Sequence, residues 1–259
     1  MSISFNKDRN LFVIQTNNTE YAFQIIKGRF PVHLYYGVKE GAEYEDYKNW
    51  PMSYSPYYKQ YHMDYVPDTA LLEYSGYDSG DYRASSLKIK NKNGDCATFL
   101  DYKEYRIFEG RLELPGLPFA DADDKTETLE ITLSDDLTGA EVKLYYTVFP
   151  EEDIISRYVV VTNKSEDNMV IEKLMSLTLD LPHHNYDMIS LHGQHYMERM
   201  YQRAPLHHGL QSIFSRRGYS SHHYNPFFAL CSHDAKEESI NTILEMAEYK
   251  MSGSCKALI

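Results

Sequence analysis

Three consecutive segments decide the fold: Thr128-Leu-Glu-Ile-Thr-Leu133, Ala140-Glu-Val-Lys-Leu-Tyr-Tyr-Thr-Val148 and Ile154-Ile-Ser-Arg-Tyr-Val-Val-Val-Thr162. In the first two segments apolar and polar residues alternate, which is the pattern of a β-strand with one buried face. The third segment is rich in the β-branched residues that are common in strands. The stretch therefore predicts three β-strands in succession.

Two hairpins are predicted upstream of this stretch. Residues 10–15 and 21–26 are both strand-like and flank a short polar turn. Asn93-Gly94 is the strongest short-range hairpin signal in the chain, and it lies between residues 86–90 and 96–102. The amino-terminal half is therefore expected to consist largely of paired strands.

The segment at 170–180 has the length of either a helix or a strand, and its β-branched residues favour a strand. Before residue 183 the chain shows no alternation of strands and helices of the kind that builds a parallel sheet. Many short strands at regular spacing predict an all-β protein: a large antiparallel β-sandwich of the supersandwich type, with a long early loop.

The long early loop occupies residues 38–83. Between Glu40 and Arg83 lie ten tyrosines and the single tryptophan, without a sustained period of a strand or a helix. Long loops in compact domains often carry binding or contact residues, so we expect the functional surface at residues 44–65. The residues predicted to contact substrate or a protein interface are Asn49, Trp50, Tyr54, Tyr57 and Tyr58.

A second polar stretch lies at residues 209–227 and contains two Arg, two Gly, four Ser and two His. Gly218 permits a turn, and Arg216 and Arg217 each present a fork of donors for carboxylates or carbonyls. We predict a structural junction in which Arg216, Arg217, His222 and Asn225 form hydrogen bonds. The alternative is a solvated loop, because loops are rich in the same residue types.

This stretch and several others resemble the amino-terminal domain of glycoside hydrolase family 36 α-galactosidases. The resemblance covers residues from about 5 to 238. It rests on six motifs: Tyr35-Tyr36-Gly37, Glu73-Tyr74, Gly80-Asp81-Tyr82-Arg83, Arg106-Ile107-x-x-Gly110, Leu114-Pro-Gly-Leu-Pro118 and Ser215-Arg-Arg-Gly-x-Ser-Ser-His-x-x-Asn-Pro-Phe227.

The resemblance implies the amino-terminal domain, or a truncated form, of an enzyme that hydrolyses terminal α-D-galactosides such as melibiose and raffinose-type sugars. In that family the two catalytic aspartates lie on a (β/α)8 barrel that follows the sandwich, and a chain of 259 residues has no room for both. We therefore assign no catalytic residue and expect the chain to support a barrel and oligomerisation while being inactive alone. The alternative is a free-standing carbohydrate-binding or protein-interaction module.

The carboxy-terminal end departs from the family pattern. Residues 1–238 are predicted to form the sandwich domain, and residues 239–259 a divergent tail. Apolar residues at 240, 243, 244 and 247 have helical spacing and predict a helix there. A strand edge left unpaired by an end at residue 259, together with the aromatic loop at 44–65, predicts a homo-oligomer.

The amino-acid composition indicates which classes of partner and which cellular compartment to expect. The net charge of −12, with no cluster of basic residues, disfavours nucleic acid as a partner, and no apolar stretch has the length of a membrane span. The odd number of cysteines (Cys96, Cys231 and Cys255) indicates no disulfide framework and fits a cytoplasmic location. No Gly-rich phosphate loop and no metal-ligand spacing is present, so neither a cofactor nor a metal is expected.

Overall fold

A computed structural model of the chain describes residues 2–39, 41, 43–48, 66–113, 120–181, 185–216, 223–234, 242–245, 247–251 and 254–258. Within these ranges the chain forms β-strands and a short 3-10 helix at Pro67–Thr69. In chain order the strands are β1 (Ile3–Asn6), β2 (Leu11–Gln15), β3 (Thr19–Ile26), β4 (Phe30–Val38), β5 (Leu87–Lys90), β6 (Asp101–Glu109), β7 (Glu127–Asp135), β8 (Ala140–Phe149), β9 (Ile154–Asn163), β10 (Val170–Leu174), β11 (Tyr186–Gln194), β12 (Met197–Pro205), β13 (Tyr224–Ser232), β14 (Thr242–Glu245), β15 (Ala247–Met251) and β16 (Ser254–Leu258). No helix in the described part of the chain has the length and apolar character needed to cross a membrane.

The chain divides into two compact units, one of Met1–Asp180 with Tyr249–Leu258 and the other of Leu181–Glu248. The first unit contains a four-stranded antiparallel sheet in the order β1-β2-β3-β4. Its largest sheet has the order β15-β16-β9-β8-β7-β6. The three segments that decided the fold are β7, β8 and β9, which lie side by side in this sheet, as predicted strands with short connections should.

The core of the first unit lies between these two sheets. Phe12 and Phe23 stack with their ring centroids 4.9 Å apart, and Phe23 stacks on Tyr146 of β8 at 5.4 Å. Leu129 and Leu144, from β7 and β8, belong to the same buried cluster. Each fully buried side chain of this size contributes about 1.5–3 kcal/mol of hydrophobic free energy. The predicted all-β sandwich is therefore confirmed.

The first predicted hairpin is formed by β2 and β3, and its turn is fixed by an acidic side chain from elsewhere in the sequence. The Oδ1 atom of Asp153 accepts hydrogen bonds from the Thr16 hydroxyl and from the Asn18 backbone N–H, both at 2.7 Å. Asp153 adopts a left-handed backbone conformation with φ of 57°, which Asp tolerates better than most residues. This turn is thus joined to the loop that connects β8 and β9.

The second predicted hairpin was wrong in its pairing, although its turn exists. Gly94 has φ of 91°, and its backbone N–H donates to the Asn91 carbonyl at 3.0 Å. However, β5 pairs with β10, and the chain after the turn becomes a strand only at Asp101, in β6. A two-residue turn signal specifies a local reversal, but the partner of a strand is chosen by the rest of the fold.

The second unit contains one antiparallel sheet in the order β12-β11-β13-β14. Gly193 lies where the pairing of β11 and β12 shifts register. A Cβ atom at Gly193 would lie 1.9 Å from the Met197 carbonyl oxygen, so only glycine fits this close backbone approach.

The helix predicted for the tail at 239–259 was wrong, because the described tail residues form the strands β14, β15 and β16. β14 pairs with β13, and β16 pairs with β9, both antiparallel. Short apolar runs fit strand and helix equally well on periodicity, and the edges of β13 and β9 offer unpaired backbone groups that a strand can satisfy.

Candidate functional site

The five residues predicted to contact substrate or an interface, Asn49, Trp50, Tyr54, Tyr57 and Tyr58, lie outside the described residues. The structure does describe the two flanks of that segment, residues 43–48 and 66–83. The geometry of these flanks shows how the early loop is attached to the sandwich.

The first flank is held by two side chains of the four-stranded sheet region. Asp46 accepts hydrogen bonds from Arg9 Nε at 2.8 Å and from Arg9 Nη2 at 2.7 Å. The Gln24 side chain donates to Asp46 at 3.1 Å through Nε2 and accepts from the Tyr47 backbone N–H at 2.9 Å through Oε1. Because Gln24 is buried in β3, this contact ties the loop to an ordered strand.

The two flanks meet at Tyr47. Its hydroxyl accepts a hydrogen bond from the backbone N–H of Leu71 at 3.2 Å, and its ring packs against a small cluster of Val32, Ala70 and Leu72. Burial raises the pKa of Tyr47, which keeps the hydroxyl neutral. The loop therefore leaves and rejoins the sandwich at one place.

Within the second flank, Glu73 occupies a closed polar cluster inside the first unit. Its two carboxylate oxygens accept from Tyr21 Oη at 2.7 and 2.8 Å, from Tyr146 Oη at 2.6 Å, from Arg157 Nη1 at 2.9 Å and from His33 Nδ1 at 3.1 Å. Arg157 also donates to the Glu73 carbonyl at 3.0 Å, and its guanidinium lies over the Tyr146 ring, 4.4 Å from the centroid. All five residues are buried.

The cluster holds Glu73 ionised. Burial by itself would raise the pKa of Glu73, but the hydrogen bond from His33, the positive charge of Arg157 and the hydrogen bond from Tyr146 lower it to about 2. Burial raises the pKa of both Tyr21 and Tyr146 well above their usual range, so these hydroxyls remain donors. With its oxygens occupied by four protein side chains and no exposed surface, Glu73 offers no group to a substrate, and its role is to hold the fold.

A second charged cluster, formed by Asp81, Arg83 and Asp180, holds the carboxy-terminal end of the early loop. Arg83 donates to both oxygens of Asp81 at 2.9 Å, to Asp180 at 2.9 Å and to the carbonyl of Ala70. Burial would lower the pKa of Arg83, but the two carboxylates raise it, while burial raises the pKa of Asp180. The Glu73-Tyr74 and Gly80-Asp81-Tyr82-Arg83 motifs thus both serve to attach the long loop.

Of the predicted junction residues, Arg216 and Asn225 are described, whereas Arg217 and His222 lie outside the described residues. Arg216 is exposed, and its guanidinium lies 5.3 Å from the ring centroid of Phe214. Phe214 in turn stacks on Tyr224 at 5.6 Å. Asn225 follows Tyr224 in β13 and is half-buried. The hydrogen-bonded junction itself stays a prediction.

The second unit also has a charged cluster that sequence reasoning missed. Asp187 accepts from Arg203 Nε at 2.6 Å and from His233 Nδ1 at 2.7 Å. The hydrogen bond to Asp187 raises the pKa of His233, and the bond from His233 lowers the pKa of Asp187. Arg203 also donates to the Ser232 carbonyl at 3.2 Å, so the cluster joins β11, β12 and the end of β13.

The Glu73 cluster was also missed, although one signal for it exists in the sequence. Arg157 interrupts an otherwise largely apolar strand, and a charged residue in such a strand requires a buried partner. The identity of that partner has no local signal, because Glu73 is 84 positions away. Within the described ranges, no three or more His, Cys, Asp or Glu side chains are grouped so that they could hold a metal ion.

Comparison with known proteins gives a single family. Residues 29–243 match the glycosyl hydrolase family 36 N-terminal domain. The chain is 35% identical over 261 aligned positions to the bifunctional alpha-galactosidase/sucrose kinase AgaSK of Mediterraneibacter gnavus, an alignment that covers 99% of this chain and 28% of that protein. It is 34% identical to the alpha-galactosidase AgaA of Geobacillus stearothermophilus, over 92% of this chain and 33% of the relative.

The solved structures agree with the sequence match. The chain superposes on the crystal structure of the GH36 alpha-galactosidase AgaB from Geobacillus stearothermophilus with a TM-score of 0.85 at 29% sequence identity. The superposition covers all of this chain and 37% of the AgaB chain. The present chain thus spans about a third of the length of these relatives. It belongs to the glycosyl hydrolase family 36 N-terminal domain family and corresponds to the N-terminal domain of GH36 α-galactosidases.

Proposed function

We propose that this chain serves an α-galactosidase that hydrolyses terminal α-D-galactosides such as melibiose and raffinose-type sugars, and that its role is to support the catalytic barrel. The observation that carries the proposal is the match to α-galactosidases, in sequence and in structure, over 92–100% of this chain. Catalysis itself is assigned to the barrel, and no residue of this chain is given a catalytic role.

The described contacts support a scaffolding role. In each of the three charged clusters, the central side chain (Glu73, Arg83 or Asp187) forms an ion pair with another side chain of the protein. Both flanks of the early loop are attached to the sandwich, the first through Asp46 and the second through the Leu71 backbone N–H, which donates to Tyr47. A rigid base of this kind is what a loop requires in order to present contact residues to another domain or subunit.

The proposal has three further parts. A homo-oligomer is proposed because the aromatic segment at 44–65 is of the composition enriched at interfaces. The same segment, with Asn49, Trp50, Tyr54, Tyr57 and Tyr58, is proposed to contact either a neighbouring subunit or an α-galactoside. A cytoplasmic location is proposed from the cysteine content.

The coding DNA that follows codon 259 tests the proposal. We expect it to continue into a reading frame for a (β/α)8 barrel, and the longer product to hydrolyse a chromogenic α-galactoside while the 259-residue chain does not. A longer product that contains a barrel and has no α-galactosidase activity would contradict the proposed substrate class, and a following frame of unrelated fold would contradict the supporting role.

A further inference from the structure

The second unit contains a cleft of about 740 Å³ that none of the clusters above occupies. Its floor is one face of the sheet: Ser190 and His192 of β11 lie opposite Gln202 and Met200 of β12 in the strand register. Gln211, Ser212 and Ile213 also line it, as does Tyr224 of β13. A volume of this size falls in the range of pockets that bind small molecules, about 300–1,000 Å³.

Two buried polar atoms in the lining have no hydrogen-bond partner among the described residues. These atoms are Nδ1 of His192 and Oε1 of Gln211. The Gln211 side chain is held by its other end, because Nε2 donates to the Pro205 carbonyl at 3.2 Å. His192 lies against Tyr224, edge to face, with the ring centroids 6.0 Å apart. A buried polar atom without a partner costs free energy, and a ligand that pairs with it recovers that cost.

The lining carries neither a carboxylate nor a Lys or Arg side chain, which disfavours charged ligands. None of the lining residues is Asp, Glu, Lys or Arg, although a quarter of the whole chain consists of these residues. An anionic ligand would find no cationic fork there, and the net charge of −12 would repel it. A metal ion or an organic cation would find no carboxylate.

The remaining lining groups combine apolar surface with hydrogen-bonding groups. Met188, Met200, Ile213 and the Tyr224 ring supply apolar contact, and hydroxyl, amide and imidazole groups alternate with them. A hydroxyl group both donates and accepts, so it can pair with Gln211 Oε1 and with His192 Nδ1 in either tautomer. Ligands with several hydroxyls and an apolar C–H face match this pattern.

We propose that this cleft binds a neutral sugar of one or two rings. His192 and Gln211 provide the polar contacts, and the Tyr224 ring and Met200 contact the C–H face of the sugar. The inference rests on the proposed function only for the choice of galactosides as the first probes. For a ligand of this size in an open cleft we expect a dissociation constant of about 1–10 mM.

NMR titration of the full 259-residue chain with melibiose tests the site. We expect the imidazole nitrogens of His192 to shift on titration, while those of His33, buried in the Glu73 cluster, do not. His192→Phe keeps a ring and removes the polar atom, and Gln211→Leu removes the acceptor, so each should weaken binding at least about 10-fold. His195→Phe is the matched control, because His195 is exposed and does not line the cleft, and it should bind melibiose as the unmodified chain does.

The amide spectrum of each variant establishes that it is folded before its affinity is compared. Titration with glucose and with galacturonate, an anionic sugar, completes the experiment. Binding of glucose would support a general neutral-sugar site, and preferential binding of galacturonate would overturn the proposal. The absence of imidazole and amide shifts at about 100 mM melibiose, or equal backbone amide shifts around the cleft in all three variants, would also overturn it. None of these results depends on α-galactosidase activity, so a failure of the site leaves the proposed function intact.

Discussion

Arg157 and Glu73 lie 84 positions apart in the sequence, and their side chains form an ion pair at 2.9 Å in the closed interior of the first unit. The side chain of Arg157 is 4% exposed and that of Glu73 is fully buried. The pair connects β9, in the middle of the large sheet, to the residue at which the early loop returns to the sandwich. The position of the loop therefore depends on this contact.

Arg157→Met should lower the free energy of unfolding by about 3–5 kcal/mol, because it leaves the Glu73 carboxylate buried without its cationic partner. Glu73→Gln should have a similar effect, since it leaves the Arg157 charge uncompensated. The two effects should not add in the double variant, because each change removes the same interaction. Urea titration of the three variants measures this.

Arg29→Met is the matched control for this series. Arg29 pairs with Asp101 at 2.8 Å, but its side chain is 55% exposed, so its loss should cost less than about 1 kcal/mol. Equal losses for Arg29→Met and Arg157→Met would show that the buried pair has no special importance.

The stability of the fold should depend on the ionisation of Glu73. The pKa of this carboxyl is lowered from 4.5 to about 2 in the folded chain, so the ionised form favours folding. Ionised Glu73 contributes up to about 3 kcal/mol to the free energy of unfolding above about pH 5. This contribution is lost as the pH falls towards about 2. Unfolding free energies measured between pH 7 and pH 3 should fall more steeply for the unmodified chain than for Glu73→Gln. Parallel curves would show that another carboxyl accounts for the acid sensitivity.

Arg216→Ala should have a small effect. Its guanidinium is exposed over Phe214, and a cation–π contact at such a site is worth about 0.5–1 kcal/mol. Urea titration of the variant should therefore show a loss below about 1 kcal/mol. A loss above about 2 kcal/mol would indicate the hydrogen-bonded junction that the Ser-Arg-Arg-Gly motif suggests.

Alternation of apolar and polar residues predicted β7 and β8, and β-branched residues predicted β9, because both signals are local. Asn93-Gly94 predicted a turn correctly and a strand partner wrongly, since pairing is decided by β10, far along the chain. Glu73 appeared in the sequence only as part of a motif. Its partners Tyr21, Tyr146 and Arg157 come from three strands, and no spacing rule links them.

The pairing of the tail strands was likewise decided by distant strands, β13 and β9. Ending the chain at residue 238 removes β14, β15 and β16 and leaves the edges of β13 and β9 unpaired. We expect the shortened chain to be less stable in urea and to sediment as larger species than the full chain at the same concentration. Identical stability and sedimentation of the two chains would show that the tail strands contribute nothing to the sandwich.

The central proposal is that this chain, as the N-terminal domain of an α-galactosidase, supports the catalytic barrel and does not itself catalyse hydrolysis. The most direct test replaces the matching 37% of AgaB from Geobacillus stearothermophilus with this chain, and measures hydrolysis of a chromogenic α-galactoside. The remainder of AgaB alone and the present chain alone are the controls. We predict activity in the folded chimera well above that of either part, with none from the present chain. Activity of this chain alone that is lost on mutating it, or a folded chimera no more active than the remainder of AgaB, would contradict the account.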